Sequence, residues 1–375
     1  MQIKPLMSPD EFVGLEGVTH LCVGGEAPWL KAQQSVHGDF ARLKSAGSDG
    51  RAEIYARGER CRERMGTLWN VPPDRIAFMP SASEGMNWLA RGLDWKSGDN
   101  VVTTNLEFPP VAYAWRGLKS LGVEVRFVPH RNWIVHEEDL LDAVDSRTRV
   151  LAVSHVSFYT GQCLNLHQLS NGARSRGVLF AVDSTHSSGV LNVPAALTDL
   201  TISSSYKWML ATHGAAPCYL SKRAEEQIEA SCFGWRNLAV WPAQQAERLP
   251  DAAEKPMPSL LEPGNPAMLV IMHLDRSLEC LLSIGIDCIA HHAISLSEQV
   301  TAGLENLGFA VITPQRRAAR SGNTCFRIED AEGIQNQLAE QGILCWGEFG
   351  RVRISTHLYN GSSDVTHFLK ALSEL

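Results

Sequence analysis

One lysine in this sequence stands where a charged side chain is unusual. Lys207 lies between the polar stretch SSSY (203–206) and the apolar stretch WML (208–210). It follows an apolar run, 198–202, that predicts a buried strand. Apolar surroundings disfavour a charged amine, which lowers its pKa and makes it a nucleophile that can form an imine. Lys207 is therefore the first candidate catalytic residue.

Two other polar segments also follow predicted strands. Asp183 ends the run VLFAVD (178–183), and the turn SAS (81–83) joins the run RIAFM (75–79) to a helical pattern. A carboxylate at a strand end can hold a cationic ring nitrogen, and the free N–H groups at a helix start suit a phosphate. A phosphate cradle, a ring-nitrogen carboxylate and an imine-forming lysine are together what pyridoxal phosphate requires.

Each of these features alone also has a structural explanation. The turn can be a simple connection, Asp183 can cap the segment that follows it, and Lys207 can extend its amine to the surface. The order along the chain, with the phosphate turn first, then the carboxylate and then the lysine, favours the joint interpretation.

The elements that must position these residues alternate between strands and helices. Continuous apolar runs with helical patterns between most of them predict a mainly parallel sheet covered on both faces, an α/β fold. In such sheets, ligands bind at the carboxyl ends of the strands. The predicted strands are 75–79, 100–104, 123–128, 149–154, 178–183 and 199–204.

The organisation changes after residue 240. Residues 241–266 contain six prolines and no clear periodicity, which predicts a connector. Beyond it, long helical patterns and short strands predict a smaller α+β domain. We therefore expect a large cofactor-binding domain, 21–255, and a small domain formed by 1–20 and 256–375.

Composition excludes some classes of protein. The net charge of −7 gives no basic footprint for nucleic acid. No run of about eighteen apolar residues predicts a membrane span, and the first residues do not resemble a signal peptide. The nine cysteines show no CxxC spacing, which is typical of free thiols in a reducing compartment. We expect a cytoplasmic enzyme.

Six ordered segments carry a family resemblance over nearly the whole chain. The sequence resembles the class V aminotransferase superfamily of fold type I pyridoxal-phosphate enzymes, which includes cysteine desulfurases, kynureninase, isopenicillin N epimerase and several aminotransferases. The segments are SASEGMNWLA, LEFPPVAYAW, SHVSFYTG, AVDSTHSSGV, SSSYKWML and RVRISTHLYN.

The resemblance implies roles for ten residues. Lys207 would carry the cofactor as an imine, Asp183 would pair with the pyridine nitrogen, and His186 would lie near the ring hydroxyl. Arg353 would clamp the substrate carboxylate with its guanidinium fork, beside a solvated Arg351. The remaining cofactor-binding positions are Ala82, Ser83, Ser204 and Tyr206 at the phosphate, Phe108 stacked on the ring, and Asn265.

Several positions depart from the family pattern. Phe108 replaces the stacking histidine of desulfurases, and an aromatic ring without a titratable group cannot move protons. Phe158 replaces an asparagine, which leaves His186 as the expected side chain at the ring hydroxyl. Asn265 replaces a threonine that reaches the neighbouring subunit's phosphate, so a homodimer with a shared site is expected. The cysteine loop of desulfurases is not evident, and Cys345 is expected to be a strand residue.

These features favour an aminotransferase that acts on an amino acid. A pyridoxal-phosphate lyase or epimerase is the alternative, and a cofactor-binding protein without activity is a third. Arg236 is a second candidate for holding an anionic group of the substrate.

Overall fold

The computed structural model describes residues 2–240 and 253–375. Part of the predicted connector, 241–252, lies outside the described residues. Its described remainder contains neither an α-helix nor a strand of a sheet, as expected from its prolines.

The strands and helices are numbered along the chain. The strands are β1 Thr19–His20, β2 Ile76–Met79, β3 Asn100–Thr104, β4 Glu124–Val128, β5 Thr148–Ser154, β6 Leu179–Asp183, β7 Leu200–Ile202, β8 Ala216–Leu220, β9 Ala310–Val311, β10 Asn323–Arg327, β11 Ile343–Leu344, β12 Trp346–Glu348 and β13 Arg351–Ser355. The helices are α1 Gln34–Lys44, α2 Gly47–Trp69, α3 Ala82–Gly92, α4 Pro109–Tyr113, α5 Glu137–Asp142, α6 Leu166–Ser175, α7 Lys222–Glu225, α8 Met268–Ile284, α9 Ile286–Asn306, α10 Ala331–Glu340 and α11 Ser362–Ser373.

A seven-stranded sheet in the order β2-β8-β7-β6-β5-β3-β4 forms the centre of the molecule. The five strands from β3 to β7 are parallel to one another, whereas β8 is antiparallel to both of its neighbours, β7 and β2. Most of its strands are buried along their whole length, because helices cover both faces. The expected α/β fold with a mainly parallel sheet is confirmed.

The six predicted strands of this sheet are present within one or two residues. β8 was not predicted, and it contains Pro217, a residue that is uncommon inside a sheet. The helices α1 and α2 were not assigned either. In α2 the apolar periodicity is weak, because the helix has many arginines and only a narrow buried side, which includes Ile54, Cys61 and Met65.

Helix α3 begins directly beyond β2 and is held close to the sheet. Ser81 is its N-cap, and the Ser81 hydroxyl accepts a hydrogen bond from the backbone N–H of Glu84 at 3.3 Å. At Gly85 the helix contacts Ile202, since a Cβ added there would lie 2.0 Å from the Ile202 Cδ1. This close packing fixes the start of α3 at the carboxyl edge of the sheet.

A second, antiparallel sheet has the order β12-β13-β10-β9. Alternate residues of β13 face opposite sides: Val352 and Ile354 lie in an apolar core with α9, α10 and α11, whereas Arg351 and Arg353 face away from it. β1 pairs in parallel with β11, which ties the N-terminal segment to the C-terminal part of the chain. The predicted domain boundaries stay a prediction.

Within 2–240 and 253–375, no single helix is long and apolar enough to cross a membrane. α8 and α9 taken together have the length and the apolar composition of a span, but they meet at a bend of 81°. Much of this pair is buried against the rest of the protein.

Candidate active site

A pocket of about 140 Å³ opens at the carboxyl edge of the central sheet. It brings together eight of the ten predicted site residues: Ala82, Ser83, Phe108, Asp183, His186, Ser204, Tyr206 and Lys207. Arg353 and Asn265 are not part of its lining. The position of the pocket agrees with the rule for open α/β sheets.

Lys207 is buried in this pocket. Lys207 belongs to the turn after β7 and is 6% exposed. The next two residues, Trp208 and Met209, are fully buried. The Lys207 Nζ lies 3.2 Å from the His186 Nε2 and 5.2 Å from the centre of the Phe108 ring. Burial, and then the positive charge of Arg353, lower the pKa of Lys207 to about 8. The expectation that apolar neighbours keep this amine out of water is confirmed.

His186 is a neutral imidazole with a defined tautomer. Its Nδ1 faces two donors, the Trp208 indole N–H at 3.4 Å and the Asn323 amide nitrogen at 3.2 Å. An indole nitrogen only donates, so the His186 Nδ1 accepts and the Nε2 carries the proton. Burial and the charge of Lys207 hold the pKa of His186 well below its ordinary value. The N–H of this ring therefore points towards Lys207.

Asp183 is a buried carboxylate at the end of β6. Its Oδ1 accepts a hydrogen bond from the backbone N–H of Thr185 at 2.8 Å. Burial raises the pKa of Asp183, and the hydrogen bonds from Thr185 oppose that rise. Within the described parts of the chain, Asp183 forms no ion pair. A cationic ring nitrogen is the kind of group that this carboxylate lacks.

The pocket also offers donors to an anion. The first N–H groups of α3, at Ala82 and Ser83, belong to a helix end that carries partial positive charge. The hydroxyls of Ser204 and Tyr206 line the same pocket. Together with the unpaired Asp183 and the buried Lys207, this donor set fits pyridoxal phosphate.

Three further residues were not predicted from the sequence. The Thr185 hydroxyl accepts from the backbone N–H of Ser204 at 2.9 Å, which joins the loops after β6 and β7. Ser154 lines the pocket, and its N–H and hydroxyl donate to the Glu107 carboxylate at 2.7 and 2.5 Å. Burial raises the pKa of Glu107 to about 7. No spacing in the sequence marks these contacts, because they join distant strand ends.

The two arginines of β13 differ from expectation. Arg353 is buried, and its Nη1 donates to the backbone carbonyl of Phe158 at 3.0 Å. Arg351 was predicted to be solvated, and that prediction is wrong, because Arg351 is only 1% exposed. Both lie on the side of the strand that faces the loop containing Phe158 and Tyr159.

Asn265 and Arg236 lie outside the pocket. The Asn265 side-chain oxygen accepts from the Tyr55 hydroxyl at 2.9 Å, in a separate cavity. Its predicted role concerned a neighbouring subunit and stays a prediction. Arg236 pairs with Glu262 at 3.4 Å and does not line the pocket, and its role as a second anion-binding group stays a prediction.

Cys345 lies between β11 and β12 and is 5% exposed. Burial raises its pKa to about 12, so the thiol stays protonated near neutral pH. Cys345 was expected to be a strand residue, and that prediction is wrong by one position, because the residue connects the two short strands.

The sequence is similar to those of several known proteins. The chain is 28% identical to an uncharacterized protein of Schizosaccharomyces pombe over 325 residues, 84% of this chain and 74% of that protein. It is 27% identical to a probable cysteine desulfurase of Methanothermobacter thermautotrophicus over 338 residues, 84% of this chain and 83% of that one.

The fold also matches a solved structure. The apo cysteine desulfurase of Thermococcus onnurineus NA1 superposes with a TM-score of 0.89 at 20% identity, over 99% of each chain. The family model described as aminotransferase class-V matches residues 30–368. The chain therefore belongs to the class V aminotransferase family of pyridoxal-phosphate enzymes.

Proposed function

We propose that this protein is an aminotransferase that acts on an amino acid, with Lys207 as the cofactor attachment point and the base. The observation that carries the proposal is the contact of 3.2 Å between the Lys207 Nζ and the His186 Nε2 in a pocket with Asp183. When bound, pyridoxal phosphate supplies an electrophilic carbon and a ring that takes up electrons.

The residues of the pocket divide the task of holding this group. The N–H groups of Ala82 and Ser83, with the hydroxyls of Ser204 and Tyr206, would hold the phosphate. Asp183 would keep a ring nitrogen protonated, since a neighbouring carboxylate stabilises the cationic form of a base. The His186 N–H, which faces Lys207 in this structure, would be the donor available to the ring.

Lys207 handles the proton. As a neutral amine it would take a proton from the substrate α-carbon and return it to a neighbouring atom. Its pKa of about 8 leaves a fraction of this amine neutral near neutral pH, and most of it neutral above that value. Arg353 holds the substrate carboxylate, which takes the place of the Phe158 carbonyl at the guanidinium.

The lining of the pocket favours transfer over the alternatives. Epimerisation through two bases needs a proton-transfer group on each side of the α-carbon, and Phe108 offers none. Desulfuration needs a thiolate, and the buried Cys345 is protonated. Relatives named as cysteine desulfurases keep a lyase as the second candidate.

Transfer of the amino group itself is the decisive experiment. The protein, loaded with pyridoxal phosphate, is incubated with each of a panel of 15N-labelled amino acids and an unlabelled keto acid. An aminotransferase moves the label onto the keto acid. Consumption of the amino acid with release of ammonia or sulfide, and without labelled product, would replace this proposal with the lyase.

We also propose a homodimer in the cytoplasm. A cleft of about 1020 Å³ lies beside the pocket, between α3 and α4, and Ser83 lines both. Tyr113 and Leu121 line the cleft and are 61% and 52% exposed. A second copy that covers this apolar surface would lie next to the phosphate-binding end. The nine cysteines, all free, support a reducing compartment.

A further inference from the structure

Arg351 is a buried charge that the proposed mechanism does not use. It precedes Arg353 by two residues on β13, so the two side chains leave the strand on the same face. Val352, between them, points into the apolar core on the other face. The two guanidinium groups are therefore neighbours beside one loop.

Within the part of the chain that the structure describes, the Arg351 guanidinium lacks the hydrogen-bond partners that a buried ion needs. Among the described residues, none of its three nitrogens has a hydrogen-bond partner. The nearest carboxylate oxygen, Glu348 Oε1, is 3.8 Å away, beyond hydrogen-bonding distance. Burial of a charge without such hydrogen bonds is unfavourable. An anionic ligand would supply what is missing.

The surroundings of Arg351 show where that ligand would come from. Its Cζ lies 4.2 Å from the centre of the Tyr159 ring and 5.5 Å from that of Phe158. Phe158 also lines the pocket that contains Lys207, so this one residue contacts both the pocket and Arg351. The Phe158 carbonyl in turn occupies the Arg353 Nη1 at 3.0 Å. Phe158 therefore contacts both arginines, and Tyr159 packs on Arg351 beside it.

We propose that the pocket takes an amino acid with an acidic side chain, and that Arg351 holds the side-chain carboxylate. Arg353 holds the α-carboxylate, and Phe158 turns aside to admit the substrate to both. The planar fork of a guanidinium matches a carboxylate with two parallel hydrogen bonds. This inference names the substrate class for the proposed aminotransferase and rests on that function.

The test measures the binding of unreactive acids to the cofactor-loaded protein. Succinate and glutarate carry two carboxylates, whereas succinamate and glutaramate carry one carboxylate and one amide of the same shape. Titration calorimetry should show that the better diacid binds roughly tenfold to a hundredfold more tightly than its monoamide. Equal affinities for diacids and monoamides would overturn the proposal.

Two variants separate Arg351 from general electrostatics. Arg351→Met should bring the affinity for the diacid down to that for the monoamide and leave the monoamide unchanged. Arg327→Met is the matched control: Arg327 faces Arg351 in the register of β10 and β13 but is exposed and lies over Trp133. It should preserve the preference. A preference that survives in Arg351→Met would contradict the assignment.

Thermal unfolding supplies a second readout. Because Arg351 is buried without hydrogen bonds, Arg351→Met should unfold at the same or a higher temperature than the parent. A markedly lower midpoint would show that Arg351 is a structural residue and would overturn the proposal. Neither readout needs turnover. Failure of the amino-transfer experiment would leave the binding preference measurable, and loss of that preference would leave the aminotransferase assignment intact.

Discussion

The amine of Lys207 and the imidazole of His186 lie 3.2 Å apart, and only one protonation state satisfies both. The His186 Nδ1 faces the Trp208 indole N–H at 3.4 Å, so the proton is on Nε2 and points towards Lys207. An ammonium group has no lone pair with which to accept it, whereas a neutral amine has one. The lowered pKa of Lys207 leaves a neutral, nucleophilic fraction of the amine near neutral pH, and this fraction becomes the majority above about pH 8.

The pH dependence of cofactor attachment follows from this pair. Below about pH 8 the Lys207 amine is protonated, and above it the amine is neutral and reactive. The rate at which the cofactor-free protein attaches to pyridoxal phosphate should therefore rise with pH through about 8. Stopped-flow absorbance measures that rate. A rise centred near the ordinary lysine value of about 10.4 would contradict the buried, neutral amine.

The role of the Asp183 charge can be tested with asparagine, a side chain of the same shape that carries no charge. Asp183→Asn should keep bound cofactor but lose roughly two or more decades in turnover, because the ring nitrogen loses the carboxylate that keeps it protonated. Steady-state rates, with cofactor content measured on the same samples, give the result. Nearly normal turnover in a fully loaded variant would show that Asp183 is not the partner of the ring.

Cys345 should not take part in the chemistry. Its thiol is buried with a raised pKa, so Cys345→Ala removes a small packing group and should leave activity within about tenfold. No appreciable sulfide or persulfide should form from cysteine. Sulfide release by the parent that disappears in Cys345→Ala would establish a desulfurase instead.

The proposed dimer places the apolar cleft at an interface. Leu121→Glu puts a charge on that surface and should shift the protein towards the monomer, whereas Phe127→Glu is a control because Phe127 is also 52% exposed but does not line the cleft. Sedimentation velocity at micromolar concentration distinguishes the two species. A parent protein that is monomeric and fully active would rule the dimer out.

Sequence patterns were sufficient for the parts of the site that lie at strand ends. Asp183, Lys207 and the SAS turn follow apolar runs, and parallel strands bring such ends to one edge. The pairing of Glu107 with Ser154 joins β5 to the loop after β3, and nothing in the local sequence marks it. Arg351 was misjudged because alternation along RVRIS places both arginines on one face without showing whether that face is buried.

The tautomer of His186 could not be predicted either. It depends on Trp208 and Asn323, and Asn323 is 137 residues away along the chain. Only the packing of β10 of the second sheet against the central sheet brings that amide to the ring. The contact between Phe158 and Arg353 could not be predicted for the same reason, because it joins residues that are 195 positions apart in the sequence.

The attachment point of the cofactor tests the central claim most directly. The protein is loaded with pyridoxal phosphate, reduced with borohydride, digested, and mapped by mass spectrometry, with Lys207→Arg as the control. We predict one pyridoxyl-modified peptide that contains Lys207 and is lost in the variant. Modification of a different lysine, or the failure of properly folded protein to retain any cofactor, would contradict the account.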